Sequence, residues 1–203
     1  ASALKAGLTP STVINDAPVM LDNFSNVQIW RPENDSGRFY GPTRMREGLI
    51  FSRNLVSIRI LQKLGVNSFI NYIDKLGFDT EGMQSNLTLA LGTHAYSPLE
   101  IASGYAIFAN QGFRVEPWFV ERIENASGEI IYAADPLVAC SRCDLRDDKS
   151  EDILRIEDVL GVEIPDVRIA EQVMDPRIAY IVTSFLQDTI QRGTGRRAKV
   201  LER

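Results

Sequence analysis

The sequence predicts an α+β fold, and three observations predict it. Apolar residues recur at helical spacing in several runs that stop at glycine. Two short alternating runs flank "NASG" and read as one β-hairpin. The elements follow each other as helices, one hairpin, a long acidic segment and a further helix, which is not the strand–helix alternation of a parallel sheet.

Residues 1–7 read as the end of a helix closed by Gly7, and "LTPSTVINDAPV" as a turn and an extended segment. Residues 22–41 are rich in Asn, Asp, Ser, Gly and Pro. They read as a long irregular loop, and long loops in compact domains are often functional. "PTRMREGLIF" predicts a short helix beginning near Pro42, with Gly48 near its end. From Leu55 to Leu64 the apolar positions are Leu55, Ile58, Leu61 and Leu64, widened by Val56 and Ile60, with Gly65 as the stop. A second helix, about 67–76, places Phe69, Ile70, Ile73 and Leu76 inward and ends at Gly77. "SPLE", residues 97–100, is a capping box with proline at the first helical position. It opens a helix to about Asn110 whose small residues predict close packing. Asp175 and Pro176 open another amphipathic helix, over residues 175–192.

At 203 residues, 44% hydrophobic and 24% charged, the chain suits one domain with a sizeable core. It holds no apolar stretch of the roughly 18 residues that span a bilayer, and no signal peptide opens it. It begins as if inside a helix and ends without a stop signal, so a piece of a longer protein is expected. The net charge of −5 is concentrated: residues 144–166 hold nine acids against three bases. That reads as a solvated loop or insertion, or as a docking surface. Arg192, Arg196, Arg197, Lys199 and Arg203 form a cluster too small, and too poor in interleaved aromatics, for a nucleic-acid face. Cys140 and Cys143 make half a zinc site at most, and His94, the single histidine, cannot complete it. The pair does not open a helix after a strand, as a thioredoxin-like motif would. A local disulfide in an oxidising compartment is the favoured reading, with free thiols and a metal as the others.

Ser52 stands before the helical run in "FSRNLVSI", and an N-cap is the ordinary reading of such a serine. Two features point further. Leu55, which would complete a capping box, cannot reach back, and Asn54 is a poor helix former whose amide could face a ligand instead. A hydroxyl and a carboxamide two residues apart at a helix start can aim into one cleft. By itself S-x-N is a weak pattern.

The blocks "LTPSTVINDAPV", "YGPTRMREGLIFSRNLVSIRILQKLG", "LALGTHAYSPLEIASGYAIFANQG" and "GTGRRAKVLER" carry more. Together they resemble the transpeptidase domain of class A penicillin-binding proteins, above all the 1A type of Gram-negative bacteria. The likeness runs over essentially all 203 residues and includes "ACSRCD". It implies the serine β-lactamase/DD-transpeptidase-like fold, here incomplete: a helical subdomain plus part of the sheet. Residues 1–203 would be a partial penicillin-binding transpeptidase domain, with 134–172 as an acidic, CxxC-containing insertion.

The family's motifs are S-x-x-K, S-x-N and K-T-G. A serine hydroxyl needs an adjacent base to attack D-Ala-D-Ala, and the tetrahedral oxyanion needs fixed donors. The resemblance makes Ser52 and Asn54 the second motif. Ser52 would relay a proton between the catalytic lysine and the leaving amine. Asn54 would hold the substrate carbonyl and that lysine. The implied partners are peptidoglycan stem peptides, the lipid-linked precursor and β-lactam antibiotics, with an outer-membrane lipoprotein activator or cell-elongation proteins beyond them. No cofactor, metal or nucleic acid is implied. The parent would also be a glycosyltransferase, anchored in the inner membrane and facing the periplasm.

Two departures limit the carry-over. K-T-G is absent, and "RGTGRR", residues 192–197, follows a helix where the family has a segment preceding the K-T-G strand. "SALK", residues 2–5, fits S-x-x-K literally, but Lys5 is followed by Ala and Gly, not by proline and an aromatic residue. Its block aligns to the later part of the nucleophile's helix. The chain as given is therefore expected to be inactive alone. A non-catalytic cell-wall binding or scaffold module is the alternative; a CxxC redox protein would need a low-pKa thiol that nothing here supplies. Trp30, Phe39 and Tyr40 are candidates for a substrate groove or for ordinary packing, and His94 for an ordinary loop residue.

Overall fold

The structure is a computed structural model that describes residues 1–19, 30–140 and 168–201. A single turn, α1 (Ser2–Lys5), is followed by β1 (Val13–Asp16), which pairs antiparallel with β2 (Gly41–Arg44); Val13 lies opposite Arg44 and Asp16 opposite Gly41. This pairing corrects the expected helix start. Residues 41–44 spend their backbone on the ladder, and Arg44 stays extended at φ −67°, ψ 143°. The helix α2 therefore runs over Met45–Ile50 and not from Pro42.

The helix α3 (Asn54–Leu64) is the axis of the fold. Leu55 and Ile58 are wholly buried and pack with Val19, Trp30, Leu87 and Ala90, the last two from a 3-10 turn over Leu87–Leu91. The other flank of α3, Ile60 and Leu64, packs with Ala3, Met45 and Phe185. Trp30 thus serves as packing for the α3 face. Gly65 ends α3 as expected, and α4 (Val66–Lys75) follows. Its inward face holds Leu76, buried as expected, with Ile73 packed on the same core, and adds Tyr72, also buried; Phe69 and Ile70 are only partly covered.

The helix α5 (Pro98–Ala109) opens with the predicted capping box. The Ser97 hydroxyl accepts from the Glu100 amide at 3.2 Å, and the Ser97 amide donates to the Glu100 carboxylate at 2.7 Å. Ile107 of α5 joins Tyr72, Leu76, Met174 and Ala179 in a second core. Beyond α5, β3 (Phe113–Arg114) pairs antiparallel with β6 (Glu171–Gln172), and the predicted hairpin is β4 (Arg122–Glu124) with β5 (Ile130–Ala133). The sheets among the described residues are three antiparallel pairs. The last long helix, α6 (Pro176–Gln191), is capped by Asp175, whose side chain accepts from the Arg177 amide.

The described residues on either side of the acidic segment meet each other. Val138 bridges Ile169 in parallel; its amide donates to Arg168 O, and the Ala170 amide donates to Val138 O, both at 2.9 Å. Residues 171–172 belong to the sheet with β3. The acidic run 144–166 and Cys143 lie outside the described residues. No helix among the described residues is long and apolar enough to cross a membrane.

Candidate active site

The turn between α2 and α3 builds the site. The Ser52 amide donates to Leu49 O at 3.1 Å and the Arg53 amide to Gly48 O at 2.8 Å, so the turn satisfies carbonyls that the end of α2 leaves open. Ser52 has φ +51°, the left-handed region, which costs a non-glycine residue about 1–2 kcal/mol. The expected N-cap role is therefore corrected. The cap of α3 is Arg53, extended at φ −78°, ψ 103°, and no side chain caps the helix. Ser52 stands one residue outside it and is exposed. Backbone strain of this kind persists where surrounding contacts over-determine the conformation.

Asn54 is the first residue of α3. Its Nδ2 donates to Glu33 O at 2.8 Å. Because a carbonyl must face the amide nitrogen, this bond fixes which way the carboxamide is turned. Among the described residues, no further hydrogen bond of the Asn54 carboxamide is found. Between Ser52 and Asn54, the Arg53 guanidinium carbon lies 3.3 Å from the centre of the Tyr40 ring, stacking the irregular loop on the turn.

Below the turn, α2 is pressed from two sides. A Cβ on Gly48 would lie 2.5 Å from Val56 Cγ1 of α3, and one on Gly193 would lie 2.4 Å from Ile50 O. The Thr194 amide donates to that same carbonyl at 3.2 Å. The "RGTGRR" segment thus sits at the end of α6, as read from the sequence, and abuts the residue two before Ser52.

Charged side chains lock α2 to α6. Arg46 meets Asp188 at 2.9 Å and stacks on Phe185; Arg192 reaches Glu47 at 2.8 Å and Asp188 at 2.9 Å. Hydrogen bonds from Arg192 hold the Glu47 carboxyl below its usual value, and those from Arg46 and then Arg192 do the same for Asp188. Carboxylates depressed on folding stabilise above their unfolded pKa, and that contribution fades as pH falls through the folded value. Arg192→Ala is accordingly expected to lower the melting temperature at pH 6–7, and the gap to the parent chain to shrink as pH drops below about 4. Melting curves taken every half unit of pH check this; a gap that holds in acid contradicts it.

The other sequence candidates fall elsewhere. Ser2 borders one cavity with Leu64, Phe69 and Tyr72 and another with Leu49, Val56 and Ser57, and Lys5 Nζ lies 5.3 Å from the Tyr72 ring centre. His94 makes an edge contact with Tyr96, ring centres 4.9 Å apart. Phe39 and Tyr40 are about half exposed, beside the turn. Cys140 is disulfide-bonded. No group of His, Cys, Asp and Glu among the described residues could hold a metal ion. The contributors that sequence reasoning missed are Glu33, whose part is a backbone carbonyl, and Gly193, which no local pattern ties to α2.

The family description "Penicillin binding protein transpeptidase domain" matches residues 1–202, and the chain belongs to that family. Its relatives include penicillin-binding protein 1A of Pseudomonas aeruginosa, 40% identical over 100% of this chain and 27% of that protein. Penicillin-binding protein 1A of Escherichia coli is 36% identical over 80% of this chain and 20% of the relative. Among solved structures, penicillin-binding protein 1A from Haemophilus influenzae superposes with a TM-score of 0.80 at 30% identity, over 96% of this chain and 28% of that one. Penicillin-binding protein A from Mycobacterium tuberculosis, solved as an imipenem acyl-enzyme complex, shares the fold at 0.66 and 16% identity, over 94% of this chain and 41% of that one. The chain spans about a quarter of the length of the curated relatives it matches. The fold is that of penicillin-binding transpeptidase domains, as the sequence predicted.

Proposed function

We propose that this chain is the central part of a peptidoglycan DD-transpeptidase, with Ser52 and Asn54 as its S-x-N motif. The observation that carries the reading is the turn itself. An exposed serine in a left-handed conformation stands two residues before a carboxamide whose nitrogen is held on Glu33 O, which supports a proton-relay role for the pair. The nucleophilic serine, its lysine and the K-T-G strand would come from residues of the parent outside this sequence.

In the reaction, the nucleophile's oxygen bonds to the carbonyl carbon of the penultimate D-Ala. Collapse of the tetrahedral intermediate breaks the peptide C–N bond. The hydroxyl proton passes by way of the lysine and Ser52 to the departing amine of the terminal D-Ala. Asn54 holds the substrate's amide and the lysine in register. An acceptor amine then attacks the ester, forms the cross-link and returns the proton to the serine. A β-lactam takes the same attack, but its ring-opened amine stays tethered, so the acyl-enzyme persists. The setting is the periplasmic face of the inner membrane, where a bond between Cys140 and Cys143 would survive. The test is D-Ala release from a stem peptide ending in D-Ala-D-Ala by a chain extended to the relatives' length. Release abolished by prior β-lactam treatment is expected; no release and no β-lactam adduct would favour a wall-binding scaffold.

A further inference from the structure

The loop that turns Asn54 is itself held by a buried polar pair. Asp16 is wholly buried at the end of β1, and Asn34 is 4% exposed. Asn34 Nδ2 donates to Asp16 Oδ1 at 2.8 Å and Oδ2 at 3.0 Å, and to Arg38 O at 2.8 Å. Asn34 Oδ1 accepts a long bond from the Leu55 amide, at 3.5 Å, one residue into α3. Asp16 Oδ2 also accepts from the Tyr40 amide at 3.3 Å. A buried carboxylate must find donors, so these bonds are expensive to lose. The chain neighbour of Asn34 is Glu33, whose carbonyl accepts from Asn54 Nδ2 at 2.8 Å. One buried pair therefore ties β1, the irregular loop and the start of α3 together, and sets the acceptor that orients Asn54.

We infer that Asn34 and Asp16 are positioning residues for Asn54: through the Glu33 carbonyl they fix the carboxamide's orientation, and so the rate of acylation. This rests on the reading of Asn54 given above. A carboxamide left free to rotate meets the substrate in the productive pose only part of the time, a loss of about tenfold to a hundredfold in rate.

The test measures the second-order rate of penicillin acylation in a chain extended to the relatives' length, at a temperature where every variant keeps its native circular dichroism. Asn34→Ala is expected to slow acylation by about tenfold or more, and to add nothing in an Asn54→Ala background, since its effect passes through that side chain. Leu76→Ala, in the core around Tyr72 and remote from the turn, lowers the melting temperature but leaves the rate unchanged. Should Asn34→Ala fail to fold, Asp16→Asn, which keeps the side chain's shape, decides by the same cycle with a smaller slowing. Parent-like rates for both Asn34→Ala and Asp16→Asn, or a slowing equally large without Asn54, overturn the positioning role. If Asn54→Ala itself acylates at the parent rate, the reading of the S-x-N motif fails, and the positioning role with it.

Discussion

Ser52→Ala, in a chain that carries the whole transpeptidase domain, is expected to slow acylation by penicillin by about 10²- to 10⁴-fold, the usual worth of a positioned proton donor or acceptor. Its effect on stability is expected to be small. The side chain is exposed and caps no helix, so its removal leaves the bonds of the turn in place, which are made by the backbone amides of Ser52 and Arg53. Alanine would carry the same left-handed cost as serine at φ +51°. Asn54→Ala is expected to slow acylation by about 10²-fold or more, on the scale of losing one preorganised donor, and also to free Glu33 O from its bond. Intact-mass time courses of the penicillin adduct, run beside thermal melts, separate the two quantities. A rate loss that only follows a loss of fold would remove the catalytic assignment.

Gly193→Ala is expected to be the most damaging small substitution near the site. The added Cβ would lie 2.4 Å from Ile50 O and 2.9 Å from Thr189 Cα, both backbone atoms that cannot step aside as a side chain can. Relief requires the end of α6 to back away from α2. That breaks the bond from the Thr194 amide to Ile50 O and shifts the residues leading into Ser52. Overpacking of this kind costs about 3 kcal/mol, read as a lower urea midpoint, with acylation in the extended chain falling as well. Thr194→Ala makes the control. Its side chain is exposed and its amide bond survives the change, so its unfolding free energy is expected to stay within about 0.5 kcal/mol of the parent. Equal midpoints for Gly193→Ala and the parent would mean that α6 does not brace the turn.

Local rules made much of the helical frame legible in the sequence. The period and terminal glycine of α3, the Ser97–Glu100 box and the Asp175–Pro176 start each act within a few residues, and each is found where it was expected. Pairings between distant segments were not legible. "GPTR" has poor strand formers, and it becomes β2 only because β1 lies alongside to receive it. Asn34 is an ordinary loop residue in sequence, and only the fold brings it onto Asp16, 18 positions away. The pair Ser52 and Asn54 stood out through family resemblance, because neither periodicity nor composition distinguishes S-x-N from a helix start. The left-handed turn that exposes Ser52 has no sequence signal: serine there carries none of the glycine preference that marks such turns.

Ser52 and Asn54 are proposed to serve a nucleophile outside this sequence. Intact-mass analysis after incubation with penicillin, on this chain and on one extended at both ends to the relatives' length, tests this most directly, with the labelled serine located by peptide mapping. The expected result is an adduct on the extended chain alone, at a serine followed three residues later by lysine and lying outside residues 1–203. An adduct on this chain at Ser2 would contradict it, because the nucleophile would then lie within residues 1–203.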